Sequence, residues 1–484
     1  MTRPLWTLAE IVAATRATLD LPRADAKWAS EAQAKSATIA GISIDTRTLE
    51  PVDLFVPLTD IRDGHEFVSQ AFTKGAIAAL VRESYERRAS DGILVRVDDP
   101  LRALERIGIA ARARLSDTAR VIAVTGSAGK TGTKEMLRAC LRACASSPNK
   151  VHAPEKSFNN HWGVPLTLAR MPADTEFGVY EIGMNHAGEI RPLTKMVRPH
   201  LAIVTNVLPV HVGNFPDGEI GVANAKAEIF EGLEPKGTAI ILRDSPHYER
   251  LREAAANRSA QVRTFGRHEE ADVRLVAVSG EQPNGTQWVQ AESRRRTIGF
   301  ELGMLGEHLA INAMAVVTAL DVLGIEIAEA SSALASVSAA AGRGARHRIR
   351  AGEGQILLLD ESYNANPASL AAALANLEAL DHDGRRIAVL GDMLELGTDA
   401  VRYHVGLREA AGRADLVFCC GPNMKHLFDM LPDEKRGAWT ANSSGLVDVV
   451  PSALRPGDAV MVKGSLGSRM APIVEAIKKH FADG

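Results

Sequence analysis

Short apolar runs alternate with helix-length segments along most of the chain. Val121–Val124, Gly178–Ile182, Ala202–Thr205, Ala239–Leu242, Ile356–Leu359, Ile387–Leu390, Leu416–Cys419 and Ala459–Val462 are such runs. Continuous runs this short, separated by segments long enough for a crossover helix, fit strands buried on both faces of a parallel sheet. The pattern predicts an α/β fold. The Ala-rich stretch Ala371–Leu380 predicts one of the helices, and the first seventeen residues carry an amphipathic helix pattern with Glu10 inside it. That segment lacks the apolar block of a signal peptide.

Two breaks interrupt the alternation. Residues up to about 115 have little nucleotide-binding character, and a new strand begins at Val121. The small-residue stretch Ala339–Ala345 (AAAGRGA) carries Gly342 and Gly344, which loosen the backbone before the run at Ile356. The expected layout is a small α/β domain over 1–115, a central P-loop-type parallel-sheet domain over 116–340 and a Rossmann-like domain over 341–484. A length of 484 residues agrees with about three domains.

Composition narrows the class. The chain is 46% hydrophobic and 24% charged, with a formal net charge of −3. This excludes a mainly disordered chain and one built to coat nucleic acid. Cys140, Cys144, Cys419 and Cys420 form no CxxC pair and are expected as reduced thiols. No run of about 18 apolar residues is present, so no membrane-spanning helix is expected. The expected location is the cytoplasm.

The most informative segment is Val121-Ile-Ala-Val-Thr-Gly-Ser-Ala-Gly-Lys-Thr131. An apolar strand runs into a turn with two glycines, then into a helix through Glu135, Met136 and Leu137. Gly126 and Gly129 let backbone N–H groups point inward, and the helix N-terminus adds partial positive charge. Lys130 can reach terminal phosphates, and the Thr131 hydroxyl can bind Mg²⁺. The motif is TGxxGKT rather than GxxxxGK[ST], since Val124 stands where the first glycine would fall.

With this turn the chain resembles the Mur ligases, the ATP-dependent amide ligases of peptidoglycan synthesis. The match continues through Ser157-Phe-Asn-Asn160 with Gly163-Val-Pro165, and Tyr180-Glu-Ile-Gly-Met-Asn185 with Gly188-Glu-Ile190. It runs on through Asp360-Glu-Ser-Tyr-Asn-Ala-Asn-Pro367, Gly391-Asp-Met-Leu-Glu-Leu-Gly397 and Lys463-Gly-Ser465. Together these resemble the branch that adds D-alanyl-D-alanine to UDP-N-acetylmuramoyl-tripeptide. The resemblance implies that the first domain holds the UDP end, the central one binds ATP and the last closes over the site.

The resemblance also implies residue roles. ATP would lie on Thr125, Gly126, Ser127, Ala128, Gly129, Lys130, Thr131 and Gly132, with Asn312 at adenine, Arg343 near the phosphates and Asp360 at the ribose. Thr131, Glu181, His211 and Lys226 would serve two Mg²⁺ ions, Lys226 as a carbamate. Lys130, Lys226 and His211 would be catalytic. Thr46, Arg47, Asn159, Asn160, Asn364 and Asn366 would contact the UDP-peptide and the dipeptide. Asp392, Glu395, His404 and Lys463 are further candidates. The residues alone leave plainer readings open: a strand-end acid at Glu181, a structural histidine at His211, a solvated helix lysine at 226, turn formers at the asparagines, and surface or capping groups in the last four. Departures from the family pattern fall at His161-Trp162, Thr46, Val52 and Thr59-Asp60.

The implied reaction is attack of a carboxylate on the ATP γ-phosphate, then attack of the dipeptide amine on the acyl phosphate. Attack of one anion on another needs the charge of Lys130 and Mg²⁺. The enzyme is expected to act as a monomer, with no nucleic-acid partner, no membrane insertion and no catalytic cysteine. Rival readings are a folylpolyglutamate synthase or another Mur ligase, a small-molecule P-loop kinase, and a non-catalytic nucleotide-binding regulator.

Overall fold

The computed structural model describes residues 4–22, 30–154, 157–210, 212–258, 260–293, 296–339 and 341–482. All eight apolar runs fall in strands, and all eight strands lie in parallel ladders. The chain is α/β, with three larger sheets of five, nine and six strands and a two-stranded ribbon among the described residues.

The nine-stranded sheet positions the site. From one edge its order is Val151–His152, Phe177–Glu181, Arg120–Thr125, Leu201–Val204, Thr238–Leu242, Gln261–Gly266 and then Val273–Glu281, all parallel. Gln287–Ser293 and Arg296–Leu302 extend it as antiparallel strands. The strand before the glycine turn therefore lies between strands reached in opposite directions. Ligands bind at such reversals, beyond the carboxyl ends of the strands. Glu181 lies opposite Val124, and Val204 opposite Thr125, so both neighbouring strands end level with the turn.

The five-stranded sheet is built from residues between Thr18 and Val97. A small cluster of its own, with Phe55, Val68, Val81 and Leu94, packs against it, and a second cluster is shared with the central sheet. Helix Pro100–Ala113 packs on helices Gly163–Ala169 and Ile190–Val197, and one continuous apolar cluster runs from Trp6 through Leu104 and Leu168 to Ala255. Gly108 permits the approach: a Cβ there would lie 3.0 Å from Leu168 Cβ and 3.2 Å from the Pro165 carbonyl. The Trp6 indole donates to Ala169 O at 2.8 Å, under the Arg114 guanidinium 3.6 Å from the ring. Arg114 in turn donates to Leu5 O and Met171 O. The amphipathic start of the chain forms only one short helix, Leu8–Thr15, begun by a Thr7–Glu10 capping box.

The six-stranded sheet begins with the hairpin Ala345–Ala351 and Gly354–Glu361 and continues in parallel through Ala459–Lys463, Arg386–Gly391, Leu416–Cys420 and Arg436–Thr440. Apolar clusters cover both its faces. The central hairpin around Glu269–Phe300, which has no readable chemistry in the sequence, reaches this part: Glu281 pairs with Arg346 and, at 3.9 Å, with Arg348. The four cysteines are free thiols. Burial pushes those of Cys140 and Cys420 up to about 12.

Two predictions follow from these contacts. Trp6→Ala removes a buried indole and its hydrogen bond, and should cost about 3–5 kcal/mol, measured by calorimetry with Trp6→Phe as the milder comparison. Burial holds His152 and His200 down to about 4. Nδ1 of His200 accepts from Val121 N at 2.9 Å, at the foot of the turn-bearing strand. The unfolded chain, with histidine near 6.5, binds more protons in that window. Stability should therefore be full above pH 6.5 and fall as the pH drops towards 4, with a shallower fall in His200→Asn.

Candidate active site

The turn between strand Arg120–Thr125 and helix Lys130–Cys144 is laced to the segment after strand Leu201–Val204. Thr205 Oγ1 donates to Ala128 O at 2.6 Å, and the Asn206 side chain accepts from Ala128 N at 2.9 Å and donates to Ala128 O at 3.2 Å. Ser127 N donates to Asn206 O, and the Ser127 hydroxyl exchanges hydrogen bonds with Leu208 N and O. Two positions demand glycine. Gly126 has φ 152° and a Cβ there would overlap Thr205 Oγ1 at 1.8 Å. Gly129 has φ 81° and would collide with the Asn312 amide at 2.5 Å. The first N–H groups of the following helix have no intrahelical partner and open towards a bound anion.

Behind the turn a polar chain runs through the cavity wall. Thr131 Oγ1 donates to Glu181 Oε2 at 2.8 Å and lies 3.4 Å from Ser157 Oγ. Asn159 Nδ2 donates to Glu181 Oε1 at 2.7 Å, and Arg343 Nη2 donates to Ser157 Oγ at 3.2 Å. The Arg343 guanidinium stacks 3.9 Å from the centre of the Tyr363 ring. Lys130 donates to Gly126 O at 2.7 Å, and burial lowers its pKa against the opposing pull of Glu181. The cavity has a volume of about 480 Å³ and takes its walls from the turn, from Asn159 and Glu181, from His308, and from the third part through Arg343, Glu361, Asn364, Glu395 and Lys463.

Models of two domains match this chain: the Mur ligase middle domain over residues 124–320 and the Mur ligase glutamate ligase domain over residues 345–466. The UDP-N-acetylmuramoyl-tripeptide–D-alanyl-D-alanine ligase of Bacillus subtilis is 33% identical over 92% of this chain and 94% of its own length. The Escherichia coli ligase of the same name is 32% identical over 93% and 96%. This chain belongs to the Mur ligase family. A solved structure of MurF from Acinetobacter baumannii is 28% identical, covers 99% of both chains and superposes with a TM-score of 0.82.

In this Mur ligase the candidate residues fall into three groups. Ser127, Ala128, Gly129, Lys130, Thr131, Gly132, Glu181, Asn159, Arg343, Asn364 and Asn366 line the one cavity. Others buttress it. Asn312 is buried behind Gly129, and Asp360 accepts from Gly342 N at 2.8 Å and from the Ser362 hydroxyl at 2.6 Å, which fastens the hinge to its strand. Asn160 Oδ1 accepts from Gly163 N at the start of a helix, and Asn366 forms a capping box with Ser369. Asp392 accepts from Met424 N, and His404 is buried between Met393 N and Ala400 O. Thr46 and Arg47 lie apart from the cavity, Thr46 on Gln70 and Arg47 on Asp45. His211 lies outside the described residues.

Lys226 is buried on helix Glu219–Ala227, and its amine has no hydrogen bond or ion pair among the described residues. Burial and then repulsion from Lys130 hold its pKa well below the usual lysine value. Thr131 and Glu181 are oxygen donors of the kind Mg²⁺ takes. Among the described residues no cluster of three or more His, Cys, Asp or Glu stands ready for a metal. Such a donor set fits Mg²⁺, which binds through one or two carboxylates with phosphate and water completing its shell. Ser157 and Glu361 stand in the sequence only as members of longer motifs, with no separate signal of their own. Ser157 bridges Thr131 and Arg343, and Glu361 accepts from the buried Lys463 at 3.1 Å.

Gly129→Ala should lower nucleotide-dependent phosphate release about 10²-fold with an unchanged circular dichroism spectrum. Thr131→Val should do the same while Thr131→Ser keeps most of the rate.

Proposed function

We propose that this chain ligates D-alanyl-D-alanine to UDP-N-acetylmuramoyl-tripeptide with hydrolysis of ATP to ADP and phosphate, a step of peptidoglycan precursor synthesis. The observation that carries the reading is the single cavity in which a phosphate turn, a buried carboxylate and a hinge arginine converge, in a chain that spans nearly the whole length of ligase relatives. In this reading residues 1–115 hold the UDP end through Thr46 and Arg47, residues 116–340 bind ATP, and residues 341–484 close on it. The enzyme works as a monomer in the cytoplasm. No helix among the described residues is long and apolar enough to cross a membrane.

The chemistry follows from the residues. The turn and Lys130 hold the ATP phosphates, and Arg343, oriented by Tyr363 and Ser157, adds a second positive charge opposite the reacting oxygen. Together they offset the repulsion between the stem carboxylate and the γ-phosphate. The acyl phosphate so formed is attacked by the dipeptide amine, and phosphate leaves a tetrahedral intermediate. Asn312 reads adenine and Asp360 shapes the ribose side through the hinge. Asn159, Asn160, Asn364 and Asn366 border the peptide. Mg²⁺ ions at Thr131, Glu181, His211 and Lys226 would neutralise developing charge. A neutral Lys226 amine is the form that reacts with CO₂, and the carbamate supplies an anionic oxygen ligand.

Phosphate release should need both UDP-muramoyl-tripeptide and D-alanyl-D-alanine, and the UDP product should gain the mass of one dipeptide. Release indifferent to the dipeptide would overturn the reading. Lys226→Ala should lose about 10²-fold in kcat. Removal of CO₂ should slow the parent enzyme, and bicarbonate should restore it.

A further inference from the structure

Gly213 and Gly397 meet back to back where the central and third sheets come together. A Cβ at Gly213 would lie 3.0 Å from Gly397 N, 3.1 Å from Gly397 Cα and 3.6 Å from Glu395 O, so its three nearest neighbours all belong to the third part. A Cβ at Gly397 would meet only Gly213 within 4 Å, its Cα at 3.1 Å and its N at 3.7 Å. Gly213 N points at Glu395 O from 3.4 Å. Both Glu395 (φ 61°) and Gly397 (φ 63°) are left-handed, which turns the backbone of this loop towards the central sheet. On the other side Asn214 ties the Val212–Asn214 turn to Asn185 O at 3.1 Å. Asn185, Leu394 and Glu395 all line the cavity, so the contact sits on its rim.

We infer that Gly213 and Gly397 are positioning residues for the ligation. Their backbone-to-backbone contact sets how closely the third part approaches the phosphate turn, and so where Leu394 and Glu395 stand in the cavity. At Gly213 the crowding comes wholly from the third part, and at Gly397 it adds to a left-handed backbone that itself favours glycine. Any side chain would act as a wedge between the two sheets, levering the third part about the Gly342–Gly344 hinge. A displacement of even part of an ångström between reacting groups is costly.

The kinetic part of this inference rests on the ligase reading; the scattering part does not. The test compares full-length Gly213→Ala, Gly213→Val and Gly397→Ala with Gly352→Ala. Gly352 has φ 55° in the hairpin of the third part, with nothing within 4 Å of its missing Cβ, so that variant strains the backbone without a wedge. Gly213→Ala should lower kcat about tenfold, and Gly213→Val further, with the ATP KM and melting temperature close to the parent. Small-angle scattering of the protein without ligands should give a larger radius of gyration for both. Gly352→Ala should melt earlier yet keep its kcat. Parental kcat and radius in Gly213→Val would overturn the inference, and so would an equal loss of kcat in Gly352→Ala and Gly397→Ala. If the parent shows no ligation, the proposed function fails, and the scattering comparison still decides the docking role.

Discussion

The site depends on how the glycine turn at 126–129 is held in shape from behind. Residues 126–129 cannot hold that shape alone, because their N–H and carbonyl groups would otherwise find each other or water. Thr205, Asn206 and Leu208 hold it by taking up Ser127 and Ala128 from the far side. Asn312 occupies the space that a side chain at 129 would need. Preorganised dipoles of this kind stabilise charge without reorganising when it arrives. The same lacing fixes Thr131, and through Glu181, Asn159 and Ser157 it reaches Arg343 in the hinge. A signal that begins as two glycines in a turn thus extends across two sheets.

Electrostatics completes the arrangement. Lys130 and Lys226 lie close enough to repel, with Lys226 buried and Lys130 half-buried at the cavity. Two ammonium groups side by side are unfavourable, and the more buried of them gives up its proton most readily. Lys463, also buried, donates to Glu361 and to the Asn364 carbonyl. The three lysines therefore meet different conditions: Lys130 turned back on the phosphate loop, Lys226 buried with its pKa held down, and Lys463 tied to a carboxylate.

Much of this was legible in the sequence. Short uninterrupted apolar runs could only be buried strands, and the glycines at 126 and 129 with Lys130 and Thr131 announced a phosphate turn. What periodicity could not convey was the direction a side chain takes once neighbours compete for it. Asp360 reads as a strand-end acid, and its contacts with Gly342 N and Ser362 could not be read from the run that precedes it. Asn366 and Asn160 read as possible contacts and serve as helix starts. Gly213 carried no signal at all, because its reason for being glycine lies in a residue 184 positions away, at Gly397. The hairpin after Val273 was opaque for the same reason, since Glu281 finds its partners only in another sheet.

The continuous core between the first two sheets separates covalent connection from mechanical unity. Trp6 is clamped on Ala169 and Arg114 on Met171, while Arg112 holds Val197 and Arg198 carbonyls, so these parts are fastened at many points besides the peptide that links them. A cut in the backbone near 115 would leave two fragments that stay together as one folded body. A cut near 342 would release a sheet that already has both of its faces covered. The first two parts thus share one apolar core, while the third is built on clusters of its own.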